Sequence, residues 1–390
     1  MTELQQLINE LCPNGVEYTT VGECCNISAG GDVPKDRFSK EKTDFYSIPI
    51  ISNGIGENAL YGYTDSPKIT ENAVTVAARG TIGYAEYRDY PYYPIIRLLS
   101  LIPKNPEKLS AKFLFYSLQG REYPVPKSGI PQLTAPNIKK EVIPLPPLPV
   151  QSEIVRILDN FTELTAELTA ELTAELTARK KQYEHYTYQL LNFGDTVQRQ
   201  KLRDLVDFRN GKGHEKDIAN DGKYIVVNSK FISTNGEVKK YSNKQICPLY
   251  IDDILMVMSD LPNGRALAKC FLVAEDDKYT LNQRIGAFHV KDESVITTRF
   301  LLYVLNRNQQ LLKYDNGVDQ TNLRKDDILD IMIPVPLIEE QERIVAILGR
   351  FNILCNDISE GLPAEIEGRR KQYEYYRDKL LTFKEKENQR

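Results

Sequence analysis

The chain has 390 residues, 41% of them hydrophobic and 27% charged, with a formal net charge of −4, which is enough apolar material for two or three domains and too much for a disordered protein. No run approaches the roughly 18 consecutive apolar residues of a membrane span. MTELQQLINELCPNG at the start carries acidic residues where an export signal needs basic and then apolar ones, so a cytoplasmic location and no membrane partner are expected. Six cysteines (Cys12, Cys24, Cys25, Cys247, Cys270, Cys355) fall in no CxxC or Cys/His spacing, and only three histidines are present. That pattern speaks for free thiols in a reducing compartment and against a zinc site.

In chain order, TELQQLINEL predicts a short helix, and residues 1–148 form a first domain. Its body, 16–140, is rich in glycine, proline, asparagine and tyrosine, with β-branched runs such as AVTVAA (Ala73 to Ala78), and predicts a mixed α/β domain with many loops. Candidate polar contacts lie in KDRFSKEK (Lys35, Arg37, Lys40), SNG (Ser52, Asn53) and RGTIGYAEYRDYPYY (Arg79, Thr81), where basic residues interleave with tyrosines. Those tyrosines fit either base stacking or plain core packing. The domain closes on SGIPQLTAPNIKKEVIPLP, which contains Gln132.

Residues 149–195 predict one long helix. After Pro149, apolar residues recur at Ile154, Val155, Ile157, Leu158, Phe161, Leu164, Leu168, Leu172 and Leu176, and Gly194 supplies a stop. About 43 residues make a rod on the order of 65 Å long. Within it TAELTAELTAELTA (Thr165 to Ala178) repeats one four-residue unit. Threonine is a poor helix former, so stability alone does not favour the repeat. Each unit lengthens a helix by about 6 Å with a net turn near 40°, which makes it a length adjuster, or else an ordinary coiled-coil segment.

A second loop-rich domain follows at 196–336. From Val197 to Lys244, eleven Lys/Arg face six Asp/Glu, and the stretch contains FRNGKGHEK with Arg209, Asn210, Lys212 and His214. Glycines bring backbone near phosphates, and arginine and asparagine pair with base edges, although a solvated turn has the same composition. Further candidates are VNSK (Asn228, Lys230), SDLPNGR (Asn263, Arg265), LNQR (Gln283, Arg284) and Gln320, in the end motif corresponding to that of Gln132.

The last region, 337–390, repeats the first helix. IPLPPLPVQSEIVRILDNF returns as IPVPLIEEQERIVAILGRF and RKKQYEHYTYQLLNF as RRKQYEYYRDKLLTF, always 190 positions later, with 19 of 43 residues identical between Gln151–Phe193 and its copy. The natural partner for each helix is the other, as an antiparallel coiled coil using Ile344, Ile347, Leu348 and Phe351 with the leucine stripe. Gly361 and Pro363 are expected to break the second copy.

Variable domain, conserved helix, variable domain, conserved helix, with paired IPxP openings, RKKQYEHY and RRKQYEYY ends and the TAEL repeat, resembles the specificity subunit of a Type I restriction-modification enzyme. The likeness runs over essentially the whole chain and is closest to the subfamily whose members differ in repeat number. It implies an α+β chain with pseudo-twofold internal symmetry, in which two target recognition domains each read half of a split double-stranded DNA sequence. It further implies helices that set the separation and dock two modification subunits, which methylate adenine using S-adenosylmethionine. Restriction (motor-nuclease) subunits would use ATP and Mg2+. The docking candidates are the residues shared by both copies: Arg179, Lys181, Gln182, Tyr183 and Tyr186 with Arg369, Lys371, Gln372, Tyr373 and Tyr376.

No cofactor is expected in this chain. It has no NPPY- or DPPY-type motif, no glycine-rich loop for S-adenosylmethionine and no GxxxxGK[ST]. The missing motifs speak against a self-contained modifying enzyme. A coiled-coil scaffold with two protein-binding domains is the remaining alternative, and it predicts no salt-sensitive, sequence-specific DNA binding.

Overall fold

The computed structural model describes residues 2–124, 131–194, 197–214, 216–261, 266–356 and 361–386. Two compact units emerge, Met1–Thr173 with Glu365–Arg390, and Ala174–Ala364. In the first, α1 (Glu3–Leu11) opens on a capping box in which Thr2 and Gln5 exchange side-chain and backbone bonds. There follow β1 (Glu17–Thr20), α2 (Val21–Cys24), β2 (Cys25–Ala29), β3 (Ile48–Ile51), β4 (Leu60–Thr64), β5 (Ala73–Val76), β6 (Ala85–Arg88), β7 (Tyr93–Pro94), β8 (Leu99–Pro103), α3 (Ala111–Leu118), α4 (Ala135–Ile138) and β9 (Val142–Leu145). An antiparallel sheet runs β2-β8-β5-β6, a second sheet runs β4-β3-β7 with β7 parallel to β3, and β1 pairs with β9. β5 is apolar enough to be buried along its whole length, and Val74 and Val76 pack in one core with Leu101 of β8 and Phe113 and Leu114 of α3.

After α5 (Leu148–Leu191), 44 residues long, the second unit repeats this plan. It contains β10 (Arg199–Lys201), α6 (Leu202–Leu205), β11 (Val206–Asn210), β12 (Tyr224–Val227), α7 (Ser229–Ser233), β13 (Tyr241–Ser242), β14 (Ile254–Val257), β15 (Ser259–Asp260), β16 (Cys270–Leu272), β17 (Tyr279–Leu281), β18 (Ile285–Val290), α8 (Thr298–Leu305), α9 (Gln309–Leu312), β19 (Thr321–Asn322), α10 (Lys325–Leu329) and β20 (Met332–Pro334). Its sheets are β11-β18-β14-β16, β13-β12-β17 and β10-β20, strand for strand those of the first domain, with β15-β19 added. Weak sequence likeness between the two domains therefore conceals one topology.

The repeated helix is broken in its second copy, as Gly361 and Pro363 predict, into α11 (Ile338–Asn356) and α12 (Leu362–Leu380). Pro363 falls in the first turn of α12, where a missing N–H leaves no bond unmade. α5 ends at Leu191, shortly before Gly194. The fate of the apolar stripe departs from expectation. Val150, Ile154 and Leu158 are buried in the first domain's core, and Ile344 and Leu348 in the second's, so the opening turns of each helix root it in its own domain rather than in a coiled-coil seam. Leu164 is exposed and Leu168, Leu172 and Leu176 only half-buried, because the TAEL segment lies beyond those rooted turns. Ile347 and Phe351 are half-buried.

Helix-to-helix contact is made by aromatic residues further along. In the first unit Phe161 of α5 meets Tyr376 of α12, with centroids 6.0 Å apart, and Thr162 Oγ1 lies 3.0 Å from Tyr373 Oη. In the second, Phe351 of α11 meets Tyr186 at 5.5 Å and Tyr183 at 6.5 Å, both on α5. The N-terminal helix packs beside the C-terminal segment. Leu4 shares a core with Leu380, Leu381 and Phe383, Val16 N donates to Lys384 O at 2.8 Å, and Lys386 N donates to Val16 O at 3.0 Å.

Candidate nucleic-acid interface

Loops that follow the central strands of the first domain meet in one hydrogen-bonded cluster. The turn between β7 and β8 (residues 95–98) is closed by Leu98 N donating to Ile95 O at 3.0 Å. Asn53 ties this turn to the loop after β5: its Nδ2 donates to Ile96 O at 2.6 Å, its Oδ1 accepts from Ala78 N at 2.8 Å, and its carbonyl accepts from Thr81 Oγ1. Arg79 donates through Nε and Nη2 to Gln132 Oε1, at 3.2 and 2.8 Å, joining the domain's end motif to the same cluster. Of the predicted residues, Asn53, Arg79, Thr81 and Gln132 are thus brought together, with Asn53 as a strut rather than a free reader. Ser52 sits beside them but donates its hydroxyl to Ala59 O. Two exposed cations that the sequence pattern does not single out, Lys68 and Arg97, belong to this cluster. Nothing in SPKIT or PIIRLLS marks them without the strand pairing.

The corresponding loops of the second domain also converge. Asn282 N donates to Val227 O, Met258 N to Arg284 O, Lys212 N to Leu281 O and Leu323 N to Met258 O, which gathers Lys212, Asn228, Gln283 and Arg284. Gln320 Nε2 donates to Ser259 Oγ at 2.9 Å, so both end-motif glutamines reach the loop after the central strand. Their register differs. Leu133 N bonds Ala78 O and Leu323 N bonds Met258 O, which aligns Gln132 with Asn322 and sets Gln320 apart. Asn228 caps α7 by accepting from Phe231 N, while Lys230 is exposed.

Other predicted contacts stand apart or are occupied. Arg37 is paired with Asp65 at 2.7 Å and Lys40 lies over the Tyr61 ring at 4.0 Å, both outside the cluster, with Lys35 exposed nearby. Arg209 is corrected to a structural role: its guanidinium binds the fully buried Asp253 and stacks 5.1 Å from the Tyr250 ring centroid. His289 Nδ1 holds the other Asp253 oxygen at 3.1 Å. His214 is likewise corrected. It is 1% exposed and spans Lys212 O and Thr280 Oγ1, so it braces the loop from inside. Asn210 and Lys212 face solvent. Asn263 and Arg265 lie outside the described residues.

Among the docking candidates, burial pushes the Tyr183 phenol up to about 12, and Tyr373 Oη lies 3.0 Å from Gln119 Oε1, so these two serve packing. Tyr186 and Tyr376 keep an exposed edge. Arg179 pairs with Glu175 and Arg369 with Glu365, both at 3.3 Å and one helical turn apart, and Lys371 lies 3.5 Å from Glu367. Lys181, Gln182 and Gln372 are exposed. No group of three or more His, Cys, Asp or Glu that could hold a metal occurs among the described residues, and no helix among them is long and apolar enough to cross a membrane.

Comparison with known proteins bears on the whole arrangement. A family model described as Type I restriction modification DNA specificity domain matches residues 13–178 and again 194–368. The EcoR124I/EcoR124II type I restriction enzyme specificity subunit of Escherichia coli is 29% identical across 98% of both chains. A Haemophilus influenzae protein named as a type I restriction enzyme specificity subunit is 34% identical over 71% of this chain and 73% of its own length. A Mycoplasma pneumoniae protein named as a type I specificity subunit is 36% identical over 49% of this chain, which spans 55% of that relative. Among solved structures, a chain from work on complex assembly and conformational transition of the type I R-M system matches with a TM-score of 0.62 over 95% of this chain and 98% of its own, at 16% identity. That likeness is one of fold.

Proposed function

On the premise that this chain belongs to the family of type I restriction-modification DNA specificity subunits, we propose that its two loop clusters each read one half of a split DNA target while the repeated helices hold the halves at a set separation. The observation that carries this reading is the double use of one scaffold. The same topology and the same helix roots occur twice, and the loop chemistry they present differs between copies. A protein that must recognise two unrelated half-sites in one geometry needs that division between constant frame and variable edge.

The chain supplies specificity, and catalysis comes from partner subunits. Two modification subunits would bring S-adenosylmethionine, and restriction subunits ATP and Mg2+. Internal twofold repetition suits two equivalent modification subunits, each meeting one copy of the exposed helix surface around Lys181, Gln182 and Tyr186 or Lys371, Gln372 and Tyr376.

Deleting one TAEL unit, Thr169–Leu172, tests the role of the helix. The cut shortens α5 by about 6 Å and rotates the remainder of the helix by a net 40° or so, leaving both domains' cores intact. Methylated DNA from cells expressing the variant with its modification subunit, read at single-base resolution, is expected to keep both half-sites and lose spacer length. Altered half-sites with an unaltered spacer would overturn the proposal. An unmodified genome from the intact chain, with the complex assembled and the modification subunit active with another specificity chain, would favour the scaffold alternative.

A further inference from the structure

We propose that the turn at residues 95–98 and its counterpart at 282–285 are the equivalent base-reading elements of the two domains, with Arg97 and Arg284 each addressing a guanine in the major groove and Lys68 and Lys212 the neighbouring phosphate. This inference deepens the proposed reading of split DNA targets and rests on it.

The two turns are closed by the same backbone bonds, although only the first has left-handed central residues. Leu98 N donates to Ile95 O and Ile285 N to Asn282 O, both at 3.0 Å; Ile95 N donates to Ile51 O at 2.9 Å and Asn282 N to Val227 O at 3.1 Å; Gly30 N donates to Leu98 O at 2.8 Å and Gly211 N to Ile285 O at 3.2 Å. Both glycines are required by the close approach. A Cβ on Gly30 would sit 2.7 Å from the Pro94 carbonyl carbon, and one on Gly211 would run into the Asn282 carbonyl. Within this frame the third residue of each turn is arginine, although the second differs, Ile96 against Gln283. Arg97 and Arg284 are exposed, and neither guanidinium has an ion-pair or hydrogen-bond partner among the described residues. Arg37, Arg88, Arg156, Arg209, Arg343 and Arg370, by contrast, are all paired with carboxylates.

The first turn is also strained. Ile96 and Arg97 have φ of 51° and 60°, in the left-handed region where glycine or asparagine would sit without penalty and a β-branched residue is an outlier. Three bonds hold it there: Asn53 Nδ2 to Ile96 O, Ile96 N to Gly31 O at 2.9 Å, and Arg97 N to Gly30 O at 3.0 Å. A chain that keeps these side chains where glycine fits better is using the side chains.

A second cation accompanies each arginine by a different route. Gly31 bridges to Ile95 as Lys212 bridges to Asn282, so the two positions correspond. Lys212 carries its own exposed ammonium, whereas at Gly31 the space a side chain would enter holds Lys68 Nζ, 4.0 Å from the Cβ position. Unrelated segments thus deliver the same charge to the same place. A planar fork beside a compact point charge suits guanine O6 and N7 next to a phosphate oxygen.

The test uses the full complex with its modification subunits and duplexes carrying the methylated motif, in which each guanine in turn is replaced by 7-deazaguanine, which lacks the N7 acceptor. The unchanged complex should lose roughly five- to hundredfold in Kd at one guanine in each half. Arg97→Ala should weaken binding to the natural duplex by a similar factor and become indifferent to the first-half substitution, while remaining sensitive in the second half; Arg284→Ala should do the reverse. The untouched half reports that the variant is folded, and Arg97→Lys, which keeps the charge without the fork, should follow Arg97→Ala. Arg97→Ala with undiminished sensitivity at every guanine would overturn the inference alone. An unchanged complex that fails to prefer the split duplex over a scrambled one would overturn the underlying reading with it.

Discussion

The two units agree in their scaffold contacts and diverge in the polar groups set into them. Shifted by 190 residues, the Phe161–Tyr376 contact of the first unit becomes the Phe351–Tyr186 contact of the second, with the helix copies exchanging roles. Gln151 becomes Gln341 with all three bonds retained. Gln151 Oε1 accepts from Ser110 N and its Nε2 donates to Lys108 O and Pro146 O; Gln341 Oε1 accepts from Thr297 N and its Nε2 donates to Val295 O and Pro336 O. The contacts that recur fix where a helix leaves its domain. Those that do not recur, above all the Asp253 cluster and the Asp159 network, mark what each domain solved separately.

The largest expected asymmetry comes from Asp253. It is completely buried, binds Arg209 and His289, and accepts from Tyr250 N at 2.8 Å. The matching residue of the first unit, in the register that aligns Ala78 with Met258, is Ala73, which carries no polar group. Asp253→Ala is expected to cost about 3 kcal/mol, because it takes the carboxylate from the Tyr250 N–H, from His289 and from a half-buried Arg209 guanidinium that keeps only Pro248 O and the Tyr250 ring. Urea unfolding followed by hydrogen exchange in each unit should show the second unit opening first, with the first unchanged. Equal loss of protection in both units would break the comparison.

The glutamines should give equal effects. Gln151→Ala and Gln341→Ala each remove a fully buried side chain and its bonds to three backbone groups in mostly part-buried surroundings, for about 2 kcal/mol apiece, each in its own unit. A loss confined to one unit, whichever residue is changed, would show that the matching bonds are not energetically equivalent.

Much of this frame was legible in the sequence, because helices announce themselves through local periodicity and the second copy stands in strict register with the first. The break at Pro363 and the short N-terminal helix were readable for the same reason. Strand order was not, since β5 and β8 are four and five residues long and paired across distant segments. The reading of Arg209 as a contact failed through distance: the carboxylate that occupies it lies 44 residues on. His214 looked loop-like in GKGHEK, but Thr280, 66 residues away, draws it inward. Arg97 was missed for the opposite reason, being set in the apolar run PIIRLLSL that reads as strand interior. Burial at Leu164, and the seam role of Ile344 and Leu348, were overread because helical spacing states which face is apolar and not what covers it.

The smallest difference is the one most open to repair. Tyr116 on α3 donates to Asp159 Oδ1 of α5 at 2.6 Å, and Lys112 binds the other oxygen at 2.8 Å. The corresponding residues of the second unit are Tyr303 and Arg299 on α8, but the place of Asp159 is taken by Gly349. Tyr116→Phe should therefore cost about 1 kcal/mol, the partly exposed carboxylate recovering some hydration, and Tyr303→Phe close to nothing. A Cβ on Gly349 would stand 3.9 Å from Tyr303 Oη, an ordinary contact, so an aspartate fits there and places a carboxylate within reach of both Tyr303 and the exposed Arg299. Removing a glycine from the interior of α11 helps further, though aspartate is itself a modest helix former. Gly349→Asp should stabilise the second unit by about 1 kcal/mol, and Tyr303→Phe should then cost about as much as Tyr116→Phe does in the first. Because alanine is the better helix former, a Gly349→Ala variant separates the two contributions: it should gain stability without making the protein sensitive to Tyr303→Phe. If Gly349→Asp leaves Tyr303→Phe without effect, the Asp159 network owes its strength to surroundings particular to the first unit rather than to the contact itself.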